Sequence, residues 1–396
     1  MKILMITPYL PYPLTSGGQI RSYNLIKNLS KKHKIILFSF IRSDEERKYI
    51  KHLKEYCADV KVFLKRPPWS LTSLFFSVVT VYPLVVCLYL KNSLRKEIET
   101  EIKKNEIDII HAETFYVMPN IGKVQIPIIL VEQTIEFLVY QHYTETVKVS
   151  PLRWLMKFDV MKIKYWERRF WQKASRVVAM SDADRQAMQT LMPNLAVNLV
   201  PNGVDNEFFL LKDHLPGKRK TILFVGNFKW LQNREAVSIL VNKIWPYIKK
   251  RLSNTTLWIV GKFPTPEIAK YASDSIKVSS DITDIKDAYA KSDMLLAPIN
   301  GPGGTRYKIL ESMASGLPVV TTPTGIEGLG AVDGKHALIG TTPSGLADQT
   351  IKILTDNVLY KILVKNGRNL VVKQFNWQSI TDKLDKIYQE AYYGQH

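Results

Sequence analysis

Short apolar runs alternate with helical patterns along the whole chain. The first half contains KILMIT, KIILFSF, DVKVFL, IDIIHA, PIILVE and SRVVAMS, and the second half contains TILFVGN, TLWIVG, IKVSS, DMLLAPI, LPVVTT and ALIG. Runs that are apolar almost throughout and separated by helices are typical of parallel strands covered on both faces. The pattern therefore predicts an α/β protein with two Rossmann-like parallel-sheet domains. Because ligands of such folds bind at carboxyl strand ends and between domains, we expect the site in a cleft.

Breaks in this pattern predict the domain boundaries. Pro193, Pro201 and Asn202-Gly203 punctuate a short linker near 195–207. We expect an amino-terminal domain at 1–198 and a carboxy-terminal domain at 199–375. The last segment, 376–396, has apolar residues at helical spacing and predicts a helix that closes the fold, with a crossing back to the amino-terminal domain as one option.

Composition and charge narrow the function classes. The chain has 396 residues, of which 46% are hydrophobic and 23% charged, and a formal net charge of +19. This composition predicts a folded protein whose partner is anionic: nucleic acid, anionic lipid or a phosphorylated substrate. Nucleic acid is the least expected of the three, because the basic residues form no recognised module. Cys57 and Cys87 lie in apolar surroundings without metal-ligand spacing, which predicts buried thiols in a reducing compartment.

Two stretches raise the question of a membrane. Residues 69–90 carry no charge over 22 positions, but apolar and hydroxyl residues fall on separate helical stripes, which favours a helix lying on a core or a membrane surface over a span. Residues 153–176 interleave Lys and Arg with three tryptophans, which is typical either of a solvated helix face or of a membrane or acceptor surface. No signal peptide precedes the first strand, so we expect folding to begin with the first residues.

Two glycine-containing turns are candidates for anion binding. Gly17-Gly18 follow the first strand and precede a helix, where free backbone amides and the helix dipole favour negative charge. The same glycines are also explained by a helix entry that needs positive φ. The chain has neither a G-x-G-x-x-G nor a G-K-[ST] motif, so neither a dinucleotide fingerprint nor a Walker loop is predicted.

The second turn, GPGGTRYKILESMASG at 301–316, carries more chemistry. If its helix begins near Thr305, then Gly304, Lys308 and Glu311 lie within about 60° of one another around the helix axis. Amides and an ammonium can bind phosphate while the carboxylate accepts sugar hydroxyls, as a nucleotide diphosphate requires. Arg306 projects to the opposite side of a regular helix. The alternative is an ordinary surface Lys–Glu pair, which stabilises a helix by only a few tenths of a kcal/mol.

These motifs, in this order, resemble the retaining glycosyltransferases of family 4, which have the GT-B fold. The resemblance covers nearly the whole chain: the first strand with Gly17-Gly18, VPNGVDNEFF, VGNFKWLQNREA, GGTRYKILESMASGLPVVTT with GIEGL, and a terminal helix with Trp377. It implies an enzyme that moves a sugar from a nucleotide-sugar, UDP- or GDP-linked, to an acceptor. The carboxy-terminal domain would hold the donor and the amino-terminal domain would face the acceptor.

The resemblance also implies roles for single residues of the donor site. Glu311 matches the second glutamate of the E-x7-E motif, which binds ribose, while Gly303 stands where the first glutamate is usual. Asn227 and Asn233 occupy the places of a common Arg and Lys, which leaves Lys229, Arg306 and Lys308 to neutralise the diphosphate. The full set of implied donor-binding residues is Gly17, Gly18, Asn227, Lys229, Gly303, Gly304, Thr305, Arg306, Lys308 and Glu311.

On the acceptor side, Gln133 stands where relatives often carry a histidine, and Glu136 keeps an acidic position. His111, at another strand end, is a further polar candidate, although a structural histidine explains it better. With Lys308, Gln133 and Glu136 form the implied catalytic set. We expect no metal site and no obligatory cofactor, because the protein's own positive charges can take the place of a cation. In the family's chemistry the acceptor attacks the face that the diphosphate leaves, and a phosphate oxygen helps to remove the proton.

The expected function is therefore transfer of a sugar to a lipid-linked or polysaccharide acceptor by a cytoplasmic enzyme, peripheral at the inner face of the membrane and in contact with its anionic surface. Two alternatives remain open at this point. One is a nucleotide-sugar epimerase or hydrolase on the same fold. The other is a non-catalytic partner subunit that binds a sugar nucleotide, since Gly303 and Gln133 replace expected polar groups.

Overall fold

The computed structural model describes residues 1–67, 75, 77, 79–104, 106–205, 215–280, 282, 284–301 and 306–394. They form two compact units. The first consists of Met1–Pro201 together with Trp377–His396, and the second of Asn202–Asn376. Each unit contains one parallel sheet with helices packed on it, so the predicted α/β class with two Rossmann-like domains is confirmed.

The first unit contains a seven-stranded sheet in the order β3-β2-β1-β4-β5-β6-β7 among the described residues. Every pairing is parallel, for example Ile3 with Ile35 and with Ile109. The order reverses between β1 and β4, which makes this the switch point where a doubly wound sheet binds ligands. The strands are Lys2–Thr7, Lys34–Ile41, Asp59–Leu64, Ile109–Glu113, Ile128–Glu132, Arg176–Ala179 and Val197–Leu199, numbered β1 to β7 in this order.

The helices of the first unit cover both faces of this sheet. They span Gly17–Leu29, Leu84–Cys87, Asn92–Lys104, Glu136–Thr146, Ser150–Lys173, Asp182–Leu191 and Trp377–Tyr393, with 3-10 helices at Asp44–His52 and Phe115–Asn120. The last helix belongs to this unit because Asp385 accepts a hydrogen bond from His33, and Tyr388 contacts His111. Ile380, Leu384 and Ile387 of the same helix are buried, as their helical spacing requires.

The second unit contains a parallel sheet whose described strands have the order β10-β9-β8-β11-β12-β13. Its order reverses between β8 and β11, which are direct neighbours. The strands are Lys220–Val225, Thr255–Val260, Ile276–Ser279, Met294–Ala297, Val319–Thr321 and Leu338–Ile339, numbered β8 to β13. The α-helices are Leu231–Ile239, Trp245–Arg251, Pro266–Ala269, Ile285–Ala290, Tyr307–Ala314, Pro323–Ile326, Pro343–Thr355 and Asn357–Gln374, with a π-helical turn at Leu240–Ile244.

The structure bears on the expected linker near 195–207 and on the uncharged run at 69–90. The stretch near 195–207 was expected to be a linker, but Val197–Leu199 forms β7 at the edge of the first sheet by pairing with β6. The uncharged run at 69–90 lies partly outside the described residues, and Tyr82 and Val86 of its described part pack on the core of the first unit. In the ranges that the structure describes, we find no helix with the length and apolar character needed to cross a membrane.

Candidate functional site

The loops after β8 and β9 are packed against each other at the carboxyl edge of the second sheet. The Gly226 amide donates to the Val260 carbonyl at 2.9 Å, and the Gly261 amide donates to the Ser279 carbonyl at 3.0 Å. A Cβ on Gly261 would lie 1.7 Å from the Gly226 carbonyl oxygen. Glycine is therefore required at this position, because the two backbones approach too closely for any side chain.

Lys308 lies at this edge, in the first turn of the helix that follows β11. Its ammonium donates to the Asn233 side-chain oxygen at 2.6 Å and lies 4.6 Å from the centroid of the Phe224 ring. Burial and then the positive charge of Arg306 lower the pKa of Lys308 from its usual 10.5 to about 7, while Glu311 acts in the opposite direction. An ammonium held in such surroundings gains strongly from an anionic ligand, which would replace the lost hydration.

Glu311 follows one helical turn later and is held by a second contact. The Tyr289 hydroxyl donates to Glu311 Oε2 at 2.8 Å. Burial raises the pKa of Glu311, against the opposing effects of the Tyr289 hydrogen bond and of Lys308. Lys308 and Glu311 do not form an ion pair with each other, since each has a different partner. The surface Lys–Glu pair that the sequence left open is therefore not the arrangement observed.

The neighbouring donor-site candidates have varied surroundings. Asn233 also donates to the Asn227 carbonyl at 2.8 Å, so it joins the loop after β8 to Lys308. The Lys229 ammonium lies 3.7 Å from the Phe263 ring centroid, and the Arg306 guanidinium donates to the Gly301 carbonyl at 2.6 Å. The helix begins at Tyr307, two residues later than the sequence pattern predicted. Gly303, Gly304 and Thr305 lie outside the described residues.

A second polar cluster lies at the carboxyl edge of the first sheet. Gln133, after β5, donates to Glu113 Oε2 at 2.8 Å and also bonds to the Tyr9 hydroxyl. His111 contacts Glu113 Oε1 at 3.2 Å and the Tyr388 hydroxyl at 2.5 Å. Gln133 is thus held within a network of side chains, and the fully buried His111 connects that network to the last helix.

Glu113 is the central group of this network. Burial acts to raise its pKa, but the hydrogen bond and charge of His111, together with Arg21 and Gln133, hold the pKa below its usual value. The result is a carboxylate at the switch point between β1 and β4. Glu113 was not among the residues selected from the sequence, because its place at the switch point depends on which strand lies beside β1.

The Gly17-Gly18 turn contacts the same cluster. The helix Gly17–Leu29 begins here, with Ser16 as its N-cap. A Cβ on Gly18 would lie 2.4 Å from the Tyr9 hydroxyl and 2.6 Å from Gln133 Oε1. Glycine at position 18 therefore makes room for the side chains of the network.

Glu136 begins the next helix and lies among tyrosines. Burial raises the pKa of Glu136 to about 7, with a hydrogen bond to Tyr116 acting in the opposite direction. Its backbone amide donates to Glu167 at 2.8 Å, so Glu167 stabilises the start of the helix. A carboxyl group with this pKa can take up or release a proton near neutral pH.

Comparison with known families gives the two units a common identity. Residues 15–208 match the model described as Glycosyltransferase Family 4, and residues 219–356 match the one described as Glycosyl transferases group 1. The chain belongs to the family 4 glycosyltransferases. Its glycosyltransferase function follows from this membership, and the earlier expectation of the GT-B fold is confirmed by the structural neighbours.

Relatives of this glycosyltransferase are distant but cover most of its length. N-acetyl-alpha-D-glucosaminyl L-malate synthase of Bacillus anthracis is 21% identical over 344 residues, which are 81% of this chain and 84% of the relative. The structure of sucrose-phosphate synthase from Thermosynechococcus elongatus covers 100% of both chains with a TM-score of 0.72 and 16% identity. HepE of Anabaena, solved with UDP-glucose, covers 98% of this chain and 100% of its own, with a TM-score of 0.68 and 17% identity.

The described part of this glycosyltransferase contains no cluster of three or more His, Cys, Asp or Glu side chains suited to a metal ion. The contact of Tyr289 with Glu311 was not predicted, because nothing in the local sequence of Tyr289 indicates its contact with a residue 22 positions later. The residue roles implied by the resemblance remain predictions.

Proposed function

We propose that this glycosyltransferase transfers a sugar from a UDP- or GDP-sugar to a glycan or lipid-linked acceptor with retention of configuration, without an obligatory metal or cofactor. The observation that carries this proposal is Lys308, a partly buried ammonium beside the switch between β8 and β11, followed one turn later by Glu311. A cation and a carboxylate in this order suit a diphosphate and a ribose. The presence of UDP-glucose in the HepE structure supports this donor class.

In this proposal the second unit binds the donor. Lys308, with Arg306 and Lys229 nearby, neutralises the diphosphate and stabilises it as it leaves. Glu311 accepts hydrogen bonds from ribose hydroxyls, and Tyr289 fixes the orientation of its carboxylate. Asn227, together with Gly303, Gly304 and Thr305 as the resemblance implies, supplies further hydrogen bonds, mainly from the backbone.

The first unit binds the acceptor in the same proposal. Gln133, Glu113 and the Gly17-Gly18 turn offer polar groups at the carboxyl edge of its sheet. Glu136, whose pKa is about 7, can exchange a proton with an acceptor hydroxyl. For retention, the acceptor attacks the face from which the diphosphate leaves, and a phosphate oxygen shares the removal of the hydroxyl proton.

Donor turnover by full-length variants tests the function. Glu311→Ala and Lys308→Ala should each lower kcat/KM for the nucleotide-sugar by about a hundredfold or more, since each removes a charged contact. Lys291→Ala, an exposed lysine of the same unit, is the control. Unchanged turnover in both site variants would refute the proposal. Products formed with membrane extract, purified glycans and L-malate identify the acceptor class, and the anomeric proton coupling reports retention.

We further propose that the enzyme works in the cytoplasm, peripheral at the inner face of the membrane. The helix Ser150–Lys173 supports this location. Its buried residues Ile163, Glu167 and Phe170 define one face. Successive residues advance by about 100°, so the exposed stripe lies about 180° away from this face. This exposed stripe consists of Trp154, Phe158, Met161 and Tyr165.

The stripe has the chemistry of an interfacial helix. Trp154 and Met161 are 70% and 67% exposed, and Lys157, Lys164 and Arg168 lie along one side of the stripe. Aromatic and apolar groups bordered by cations suit the interface of an anionic bilayer. The free, buried thiols of Cys57 and Cys87 are consistent with a reducing compartment.

Sedimentation with vesicles tests this location. Wild-type enzyme should bind vesicles that contain phosphatidylglycerol, and the double variant Trp154→Ser/Met161→Ser should bind them about tenfold less tightly or weaker. Val358→Ser/Ile362→Ser removes two exposed apolar side chains from the second unit and serves as the control. Equal binding by both double variants would contradict the proposed surface.

A further inference from the structure

The first unit contains a cavity of about 410 Å³ that no step of the proposed reaction uses. Four cationic residues line it: Arg95, Lys123, Arg169 and Lys173. None of the described residues that line it is acidic. We call the cavity with these four residues the cationic pocket.

Three segments of the chain bring the four charges together. Arg95 comes from the helix Asn92–Lys104, and Lys123 from the loop that follows the 3-10 helix Phe115–Asn120. Arg169 and Lys173 lie one turn apart on the helix Ser150–Lys173. The Lys173 ammonium donates to the carbonyls of Ile121 and Gly122 at 2.9 and 3.2 Å, which fixes the loop to the helix. The pocket is thus built by contacts between segments that are distant in sequence.

The positive charge of this pocket is not balanced by carboxylates. Some other cations of the same unit have carboxylate partners, as Lys61 has Glu97 and Lys32 has Asp382. By contrast, none of the four pocket cations has a carboxylate of the described residues within ion-pair distance. Burial and the nearby charge of Arg95 lower the pKa of Lys173. An anion bound among these groups would relieve their mutual repulsion.

An aromatic wall completes the pocket. The rings of Tyr82 and Trp166 lie 4.5 Å apart between centroids. The Trp166 indole donates to the Val81 carbonyl at 2.8 Å, which fixes the ring. Cations on one side and aromatic rings on the other suit a phosphate that carries an organic group, rather than a bare ion. The volume also exceeds what a single phosphate fills.

We propose that the cationic pocket binds the phosphate group of a phosphate ester. The pocket residues belong to the first unit, whereas Lys308 and Glu311 belong to the second. Within the first unit, Lys173 lies just before β6, at the opposite end of the sheet from Glu113 and Gln133. Arg169 lies one helical turn beyond Tyr165 of the exposed stripe and about 40° around the helix axis from it. A lipid headgroup can therefore reach the pocket from a bilayer that contacts the exposed stripe, and a soluble phosphate ester presents the same chemistry.

Calorimetric titration of the full-length protein tests the site. The probes are dihexanoyl phosphatidic acid below its micelle concentration, glycerol phosphate and inorganic phosphate. Lys123→Gln/Arg169→Gln should weaken binding by about tenfold or more, because it removes two charge-assisted contacts. Lys51→Gln/Lys54→Gln removes the same charge from exposed positions of the same unit outside the pocket and should bind as the wild type does.

The outcomes separate the sources of the phosphate and the two proposals. Binding of the short-chain lipid without glycerol phosphate supports a headgroup site, and binding of both esters supports a site for soluble esters as well. No binding of any probe at millimolar concentration, or equal losses in the two double variants, would overturn the inference. Nucleotide-sugar turnover without acceptor lipid should be unchanged in Lys123→Gln/Arg169→Gln. If the pocket inference fails, the proposed donor site is therefore not affected.

Discussion

The ammonium of Lys308 and the side-chain amide of Asn233 meet at 2.6 Å, although they follow two different strands of the second sheet. Lys308 follows β11 and Asn233 follows β8, and these strands are neighbours at the point where the strand order reverses. Asn233 is uncharged, so it orients the ammonium without neutralising it. A positive charge is thus aimed at the place where doubly wound sheets bind phosphates.

Removing the amide should therefore weaken donor binding without unfolding the protein. We expect Asn233→Ala to raise KM for the nucleotide-sugar by about tenfold with a smaller change in kcat, because Lys308 keeps its charge but loses its orientation. Steady-state kinetics at saturating acceptor measure both constants. Asn242→Ala, at an exposed hydrogen-bonded asparagine of the same unit, is the matched control. A parallel loss in kcat, with KM unchanged, would contradict a role in binding.

The pKa of Lys308 predicts a pH dependence of nucleotide affinity. With a pKa of about 7 in the free protein, the side chain is charged below pH 7 and neutral above it. Binding a diphosphate raises this pKa, so above pH 7 binding takes up a proton, and affinity should fall by up to about tenfold per pH unit.

Calorimetry with UDP and GDP measures this decline from about pH 6, where Lys308 is charged, to about pH 9, which is about two units above its pKa. In Lys308→Met, the nucleotide affinity should keep only the pH dependence that comes from titration of the ligand's own phosphate. Asn233→Asp should move the midpoint to higher pH, since a carboxylate at 2.6 Å favours the charged ammonium. Identical profiles for wild type and Lys308→Met would exclude Lys308 as the titrating group.

Tyr289 should act by positioning Glu311. Tyr289→Phe removes the hydroxyl that donates to Glu311 Oε2 at 2.8 Å and leaves the ring in the core. We expect KM for the nucleotide-sugar to rise by about five- to tenfold, the effect of one charge-assisted hydrogen bond. In the wild type this hydrogen bond lowers the pKa of Glu311, so its removal should raise that pKa. As the pH is lowered, the variant should therefore lose donor affinity at a higher pH than the wild type does. If neither KM nor the pH profile changes, Tyr289 does not position Glu311 and serves only to pack the core.

Local sequence patterns predicted the sheets well and the pairings between distant residues poorly. The apolar runs contain twelve of the strands because burial on both faces leaves a continuous apolar signal. β7 was missed because Val197–Leu199 has three residues among Pro and Asn, which resemble a linker. The contact of His111 with Tyr388 joins residues 277 positions apart, and no periodicity reports such a contact.

In the candidate site, too, contacts between residues distant in sequence were not predicted. Helix geometry predicted that Lys308 and Glu311 lie near each other, but not that they bond to Asn233 and Tyr289 instead of pairing. Asn233 was interpreted only as the replacement of a cation, and its contact with Lys308 depends on the neighbouring positions of β8 and β11. Glu113 required knowledge of which strand lies beside β1.

The backbone contact between Gly226 and Gly261 predicts a large effect on stability. In Gly261→Ala the new Cβ would lie 1.7 Å from a carbonyl oxygen, and a backbone atom cannot move aside as a side chain can. We expect the free energy of unfolding to fall by about 2 kcal/mol or more, and the Tm by roughly 4–8 °C for a domain of this size. Gly217→Ala, with its nearest atom at 4.0 Å, is the control in thermal denaturation. Equal Tm values for the two variants would contradict the close approach.

Gly18 predicts the opposite outcome, a loss of activity with little loss of stability. A Cβ at this position would meet the ends of two side chains, the Tyr9 hydroxyl at 2.4 Å and Gln133 Oε1 at 2.6 Å. The Gln133 amide can turn away and the partly exposed Tyr9 ring can shift, so Gly18→Ala should shift the Tm by no more than about 2 °C. When Gln133 turns, its hydrogen bond to Glu113 Oε2 breaks and the polar network at the switch between β1 and β4 opens.

Acceptor kinetics and donor binding together measure this effect. In Gly18→Ala we expect kcat/KM for the acceptor to fall by about tenfold, since a hydrogen bond to a charged group is lost, while the dissociation constant for UDP or GDP stays unchanged. Gly217→Ala, whose Cβ would have its nearest atom at 4.0 Å, should behave as the wild type in both assays. An equal loss of nucleotide affinity in Gly18→Ala would assign the Gly17-Gly18 turn to the donor, as the sequence resemblance implied, and would remove the main reason for placing the acceptor beside Gln133.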